Sequence, residues 1–252
     1  MIDEQVTILE NQKINQDYWK LTFSSVKLSR KVLPGQFMNI QLESDTDPFL
    51  RRPFSYYRVG GSRIEILYEI LGRGTNLLTY KRKGDSFRVL GPLGKSFTQN
   101  VRTKKHILVA GGVGVPPLVF LSEKMAATLL VGCKSKGDVL PKSELKKIKG
   151  DVCYATEDGS YGKKGFVTVL LRDIIKKEKN PDSLFIQTCG PHAMMDAVMK
   201  VAKEFGIEGE ASIDERMACG VGACLGCMVK THEGYKTSCI DGPIFRFDDL
   251  AA

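Results

Sequence analysis

The stretch "HILVAGGVGVPPL", residues 106–118, reads as a short apolar strand that runs into a glycine-rich turn and then into a helix with proline in its first turn. Gly111, Gly112 and Gly114 would let the backbone approach a pyrophosphate, although a glycine turn after a strand serves tight packing equally well. Beyond it, nearly continuous apolar strands in "TLLVGCK", "DVCYATEDG", "SLFIQTCG" and "EGEASID" alternate with the amphipathic stretches "FVTVLLRDIIKK" and "PHAMMDAVMKVAKEFG". Strands that are apolar on both faces and spaced by helices predict a parallel sheet covered on both sides. Residues 101–210 are therefore expected to form a doubly wound α/β nucleotide domain. The stretch "CGPHAMM", 189–195, puts a second glycine turn, at Gly190, at the same sheet edge, where open parallel sheets bind ligands.

Upstream, residues 1–100 have a different texture. Short β-rich runs, "QVTILEN", "YWKLTFSS", "GQFMNIQL", "FSYYRVG" and "RIEILYEIL", are separated by turns and predict an antiparallel β-barrel. One helix is expected there, from "RGTNLLTYKRKG" to Gly84. In "RRPFSYY", Arg51–Tyr57, an arginine before a Pro-aromatic-Ser strand can set a guanidinium on a diphosphate while the strand lies against a flat heterocycle. Alone that is an ordinary edge strand. Twenty residues on, however, Gly74 and Thr75 of "LGRGTNLL" open a helix whose first N–H groups suit phosphate, so the barrel is a candidate dinucleotide site.

With 252 residues, 42% of them hydrophobic, the chain can bury two cores, which excludes a disordered or fibrous protein. Its net charge of +8 is spread over short lysine runs with no basic arm, which reads as a solvated surface, or a dock for an acidic protein, and not as a nucleic-acid interface. The opening "MIDEQVTILE" lacks the positive charge and apolar region of a secretory signal, and the longest apolar run, "ILVAGGVGVPPLVFL", is too short and too broken by glycine and proline to span a membrane. A soluble cytoplasmic protein is expected. His106, His192 and His232 share no motif, and no catalytic side chain is singled out.

The last segment, 211–252, is too short for a core of its own and holds "CGVGACLGC", 219–227, with a fourth cysteine in "SCIDGP". Cys219, Cys224, Cys227 and Cys239 do not form the two tight knuckles of structural zinc. Their CxxxxCxxC spacing with a distal cysteine is the plant-type pattern for a [2Fe–2S] cluster, and Gly220, Gly222 and Gly226 suit a loop wrapped round one. Zinc and a disulfide knot remain the alternatives. Cys133, Cys153 and Cys189 fall in or at the ends of predicted strands.

Taken together, "RRPFS" and "GRGT" in a barrel, followed by "GGVGVPP" and "CGPHAMM" in a nucleotide domain, resemble the ferredoxin-reductase superfamily. "DGSYGKKGFVT", "DERMACGVGACLGC" and "CIDGPIF" closely resemble the electron-transfer subunit family of type B dihydroorotate dehydrogenase, over essentially the whole chain. The resemblance implies FAD, one [2Fe–2S] cluster held by Cys219, Cys224, Cys227 and Cys239, and NAD as acceptor. It also implies an FMN-containing dihydroorotate dehydrogenase catalytic subunit as partner, in a heterotetramer of two of each, working in pyrimidine (UMP) biosynthesis.

By the same resemblance Arg52, Pro53, Phe54 and Ser55 match the first flavin motif. Leu67, Tyr68 and Glu69 match the second flavin strand, where Glu69 departs from a commonly basic position, and Gly74 with Thr75 matches the phosphate turn. Gly112, Gly114 and Gly190 would border NAD. Lys134 would tolerate a 2′-phosphate and Asp138 would oppose it, so NAD is preferred on resemblance alone. Met228 and Phe245 are expected to be exposed where the partner docks. The rival readings are an FAD/[2Fe–2S] subunit of an NADH-dependent ferredoxin:NADP reductase or sulfide dehydrogenase, and a redox sensor or zinc-stabilised module that keeps the fold.

Overall fold

The amino-terminal half follows the period-two burial that a half-wet sheet requires. It comprises β1 (Ile2–Lys13), β2 (Tyr18–Ser24), α1 (Val26–Ser29), β3 (Phe37–Gln41), β4 (Arg52–Ser55), β5 (Arg58–Gly60), β6 (Arg63–Glu69), α2 (Arg73–Tyr80) and β7 (Ser86–Leu93) in a computed structural model that describes residues 1–42, 48–101 and 104–251. Val6 and Ile8 of β1 are buried while Gln5 and Thr7 between and beside them are exposed. The seven strands form an antiparallel sheet in the order β4-β3-β7-β1-β2-β6-β5. It curls until Phe54 of β4 meets Tyr68 of β6 edge to face, with ring centroids 6.1 Å apart, around a core that includes Ile8, Leu21, Phe23 and Ile66.

Two local expectations change. α1 is a second helix in this half, a single turn capped by the Ser25 hydroxyl, which accepts from Leu28 N at 3.0 Å. α2 ends at Tyr80 and not at Gly84, because the Asp85 carboxylate accepts from Arg82 N at 2.7 Å and turns the chain early.

The second half adds β8 (Lys105–Gly111), α3 (Val115–Lys124), β9 (Thr128–Cys133), β10 (Val152–Thr156), β11 (Lys163–Lys164), α4 (Val167–Lys177), β12 (Leu184–Cys189), α5 (His192–Glu204), β13 (Gly209–Ser212), β14 (Met228–Thr231), β15 (Gly234–Thr237) and β16 (Ile244–Arg246). The sheet order is β11-β10-β9-β8-β12-β13-β16, parallel except for β16. Leu108 and Ala110 of β8 pack with Leu118 of α3, whereas Ile107 and Val109 pack with Leu171 of α4 and Val198 of α5. That two-sided burial is why the strand reads as a continuous apolar run. The order reverses between β8 and β12, so the turns that follow these strands lie side by side at the switch point.

The cysteine segment supplies the hairpin β14–β15 and, through β16, an antiparallel edge to this sheet. Phe245 on β16 is 4% exposed and packs with Met195 and Ala211, so it is a core residue, contrary to the expectation that it lies on the docking surface. Met228 is partly exposed, as expected.

A buried ion network joins the two halves. Arg58 of β5 contacts Glu123 of α3 at 2.5 Å and Glu144 at 2.7 Å, and Lys20 of β2 reaches Glu144 at 2.6 Å. Burial opposes ionisation of Glu144, but Lys20 and Arg58 outweigh it and hold the carboxyl below its ordinary range. Arg58→Ala leaves two buried carboxylates without their shared cation, so stability should fall by about 3–5 kcal/mol, read as a lowered thermal midpoint. A midpoint within a degree or so of the parent would show that the network contributes nothing.

Candidate functional site

Four of the five segments singled out in the sequence converge on one cleft, and the turn at Gly74 and Thr75 lies outside its lining. Its walls include Ser55 from β4, Gly114 from the turn after β8, Cys189 and Gly190 from the end of β12, and Asp214 and Met217 from the start of the cysteine segment. The two glycine turns touch: a Cβ on Gly114 would lie 2.1 Å from the Cys189 carbonyl oxygen, so only glycine permits this approach. Gly112 lies at the same edge, where its carbonyl accepts from the Tyr18 hydroxyl at 2.7 Å.

On the barrel side the predicted residues divide by direction. Phe54, Leu67 and Tyr68 are buried core residues, and the Tyr68 hydroxyl donates to Asn11 Oδ1 at 3.1 Å. Pro53 and Ser55 stand on the opposite face of β4, and Arg52 opens the strand, half-buried, with Nη1 donating to the Leu50 carbonyl at 2.5 Å.

Gly74 lies in contact distance of Arg52: a Cβ there would come within 2.9 Å of Arg52 Nε. Gly72 offers no side-chain cap to the first-turn N–H groups of α2, which suits them to an anion. Thr75 is spent locally, its Oγ1 accepting from Leu71 N at 2.9 Å. Glu69 faces the nucleotide turn, 3.9 Å from where a Gly112 Cβ would be. Burial raises its carboxyl pKa against the opposing Tyr18 hydroxyl. An acid so placed is unsuited to a phosphate.

The cysteine loop is built to receive charge on sulfur. Val221 N and Cys224 N donate to Cys219 Sγ at 3.4 Å each, Gly222 N to Cys239 Sγ at 3.2 Å, and Gly226 N to Cys224 Sγ at 3.4 Å. Gly220 and Gly222, at φ +69° and +79°, give the backbone the turn this needs. Desolvation opposes the Cys219 thiolate, but the Val221 and Cys224 N–H groups win and bring its pKa down to about 7. Burial and the neighbouring Cys227 push Cys239 up to about 11.

The four thiols neighbour one another, Cys224 beside Cys219, and Cys227 and Cys219 both beside Cys239. Among the described residues, no three His, Cys, Asp or Glu side chains converge on a single ion. The CxxxxCxxC spacing with a distal cysteine fits two irons with two thiolates each better than the two tight knuckles of a structural zinc. All seven cysteines are free, so there is no disulfide knot.

One charged residue of the cleft escaped the sequence reading. Asp214 lines the cleft with an exposed side chain, and desolvation, reinforced by Glu215 and opposed by His192, pushes its carboxyl pKa upward. Its only sequence signal was an acid just past a strand end.

Comparison with known proteins fits this arrangement. Residues 214–251 match the family model for the iron–sulfur cluster binding domain of dihydroorotate dehydrogenase B, and residues 108–200 match an oxidoreductase NAD-binding domain. The chain is 35% identical to the dihydroorotate dehydrogenase B (NAD(+)) electron transfer subunit of Fusobacterium nucleatum, with 98% of each chain covered. It is also 35% identical to that of Desulforamulus reducens, with 89% of each covered. Among solved structures, an NADH-dependent reduced ferredoxin-NADP oxidoreductase superposes with TM-score 0.85 at 28% identity, over 98% of this chain and 89% of that one. A ferredoxin NADP+ reductase from Neisseria gonorrhoeae shares the fold alone, with TM-score 0.66 at 14% identity over 81% and 92% of the two chains.

Proposed function

The chain belongs to the family of dihydroorotate dehydrogenase B (NAD(+)) electron transfer subunits, and from that premise we propose that it carries electrons from the FMN of a dihydroorotate dehydrogenase catalytic subunit to NAD in pyrimidine synthesis. The observation that carries this reading is the single cleft in which Ser55 of the barrel, Gly114 and Gly190 of the nucleotide domain, and Met217 of the cysteine segment meet. FAD bound there would supply the exchange between the one-electron chemistry of a [2Fe–2S] cluster and the two-electron hydride that NAD accepts.

The protein's part is to hold and space these groups. Arg52 and the N-terminus of α2 at Gly74 and Thr75 take the FAD diphosphate; Pro53 and Ser55 lie along its ring system. Phe54, Leu67 and Tyr68 fix the strands from the core, and Glu69 borders the site from the edge of β6. Gly112, Gly114 and Gly190 admit NAD to the cleft, while Cys219, Cys224, Cys227 and Cys239 hold the cluster. This gives a barrel domain over 1–100, a nucleotide domain over 101–210 and a cluster segment over 211–252. The further expectation is a cytoplasmic heterotetramer of two subunits of each kind. Among the described residues no helix is long and apolar enough to cross a membrane.

One finding favours the rival flavoprotein reading, the close superposition on the NADH-dependent reduced ferredoxin-NADP oxidoreductase. Its weight is reduced by the match of residues 214–251 to the dihydroorotate family's cluster domain. Purified anaerobically, the chain should show flavin absorption over a broad band that bleaches on reduction, with about two irons per chain. A colourless, zinc-containing protein would refute the reading.

The exposed rim of the cysteine segment is the expected dock for the catalytic subunit. Leu225, 60% exposed, and Ile240, 53% exposed, flank the ligand cysteines together with Met228. Leu225 also has a left-handed backbone, φ +56°, which aspartate tolerates. Leu225→Asp should therefore keep the loop and weaken assembly on the order of tenfold or more, measured by titrating the catalytic subunit. Unchanged affinity would place the interface elsewhere.

A further inference from the structure

Asn39 lies on β3, where its neighbours Met38 and Ile40 point into the barrel core. Asn39 points the other way and is 1% exposed. Its Nδ2 donates to the carbonyl oxygen of Cys219 at 3.0 Å, while its Oδ1 is buried with no partner. An unpaired buried acceptor is unfavourable, and an apolar side chain of similar size would avoid it. The bond to Cys219 is thus what the amide provides. The contact is close, since a Cβ on Gly220 would lie 2.2 Å from Asn39 Nδ2.

The same face of the sheet carries both halves of the site. β3 pairs with β4 so that Asn39 is opposite Pro53 and Phe37 is opposite Ser55, and residues directly opposite each other share a face. Phe37 in turn packs against Cys227 and Cys239. One cross-strand step therefore separates the residues that seat the cysteine loop from those assigned above to the flavin.

We propose that Asn39 is the positioning residue for electron transfer between flavin and cluster: its hydrogen bond to Cys219 holds the cysteine loop at a fixed place against the strand pair bearing Pro53 and Ser55. The proposal rests on the reading that the chain carries FAD and a [2Fe–2S] cluster. The bond acts on the loop backbone and not on the nucleotide turns, so hydride delivery from NADH is independent of it, whereas the onward passage of single electrons depends on it.

The test is made on the complex co-expressed with its catalytic subunit, comparing wild type with Asn39→Ala and Asn39→Leu. Under anaerobic conditions NADH donates hydride to the flavin, being oxidised to NAD+, and one electron then passes to the oxidised cluster. Flavin reduction is followed optically, and cluster reduction by electron paramagnetic resonance of rapidly frozen samples. Iron content and the resonance of the dithionite-reduced cluster report the integrity of the cluster apart from turnover. Both variants should keep their iron and the wild-type rate of flavin reduction, slow the cluster phase roughly tenfold or more, and broaden the cluster resonance as the loop takes more than one position.

A cluster phase at the wild-type rate in either iron-replete variant overturns the proposal. So does loss of iron from both variants, which would make Asn39 an assembly residue only. A wild-type complex without iron would instead overturn the functional reading itself, and this proposal with it.

Discussion

Cys224→Ala should abolish the broad visible band and reduce iron to near zero while leaving flavin content and folding intact. Of the four cysteines proposed as ligands, Cys224 is the exposed one, so its removal opens no cavity; Cys227 and Cys239 are core residues packed with Phe37 and Leu93. A [2Fe–2S] cluster takes four thiolates, so this variant would leave one iron a ligand short. Losing an outer-shell partner of a metal site already costs up to about 100-fold in activity, and losing a ligand should exceed that in NAD-linked dihydroorotate oxidation by the complex. NADH should still reduce the flavin, because the nucleotide turns and β4 are untouched. An iron-replete Cys224→Ala protein with ordinary activity would contradict the ligand assignment.

The second large effect is expected at Arg52. Its side chain lies across Gly74 at the uncapped start of α2, so a guanidinium and a helix N-terminus address the same point. Hydrogen bonds to charged groups contribute about 1.5–3 kcal/mol, so Arg52→Ala should weaken FAD binding by roughly 10- to 100-fold, measured by ultrafiltration or fluorescence of released flavin. Gly74→Ala forces a methyl group to within 2.9 Å of Arg52 Nε, but the arginine can swing aside, so its effect should be smaller than that of Arg52→Ala and in the same direction. Undiminished affinity in Arg52→Ala would move the diphosphate away from this corner of the barrel.

What could be read from the chain, and what could not, follows from the range of the forces involved. The run at 106–118 announced its strand, turn and helix because burial on both faces, a close backbone approach at Gly114 and prolines in the first turn each leave a local mark. The cysteine spacing was equally local. By contrast α1 is one turn long and has no periodicity, only the cap at Ser25. The early end of α2 depends on Asp85 reaching back to Arg82. Phe245 read as a surface residue because nothing near it shows that β16 joins the edge of a sheet formed by residues far upstream.

The site shows the same division. Ser55, Gly114 and Gly190 were legible one by one, while their meeting in one cleft with Asp214 and Met217 is a product of the tertiary fold. Phe54 and Tyr68 belong to a motif yet turn their rings into the core, which only the sheet's curl reveals. Asn39 is the clearest case: its partner lies far along the chain at Cys219, and no spacing rule connects the two.

The most direct test of the whole account is NAD reduction by dihydroorotate under anaerobic conditions, using the candidate catalytic subunit with and without this chain. The account predicts that NADH forms only when both are present, and that the chain's cluster is seen reduced during turnover. NADH formation by the catalytic subunit alone, or a chain that assembles only with a ferredoxin:NADP reductase partner and leaves dihydroorotate unoxidised, would contradict it.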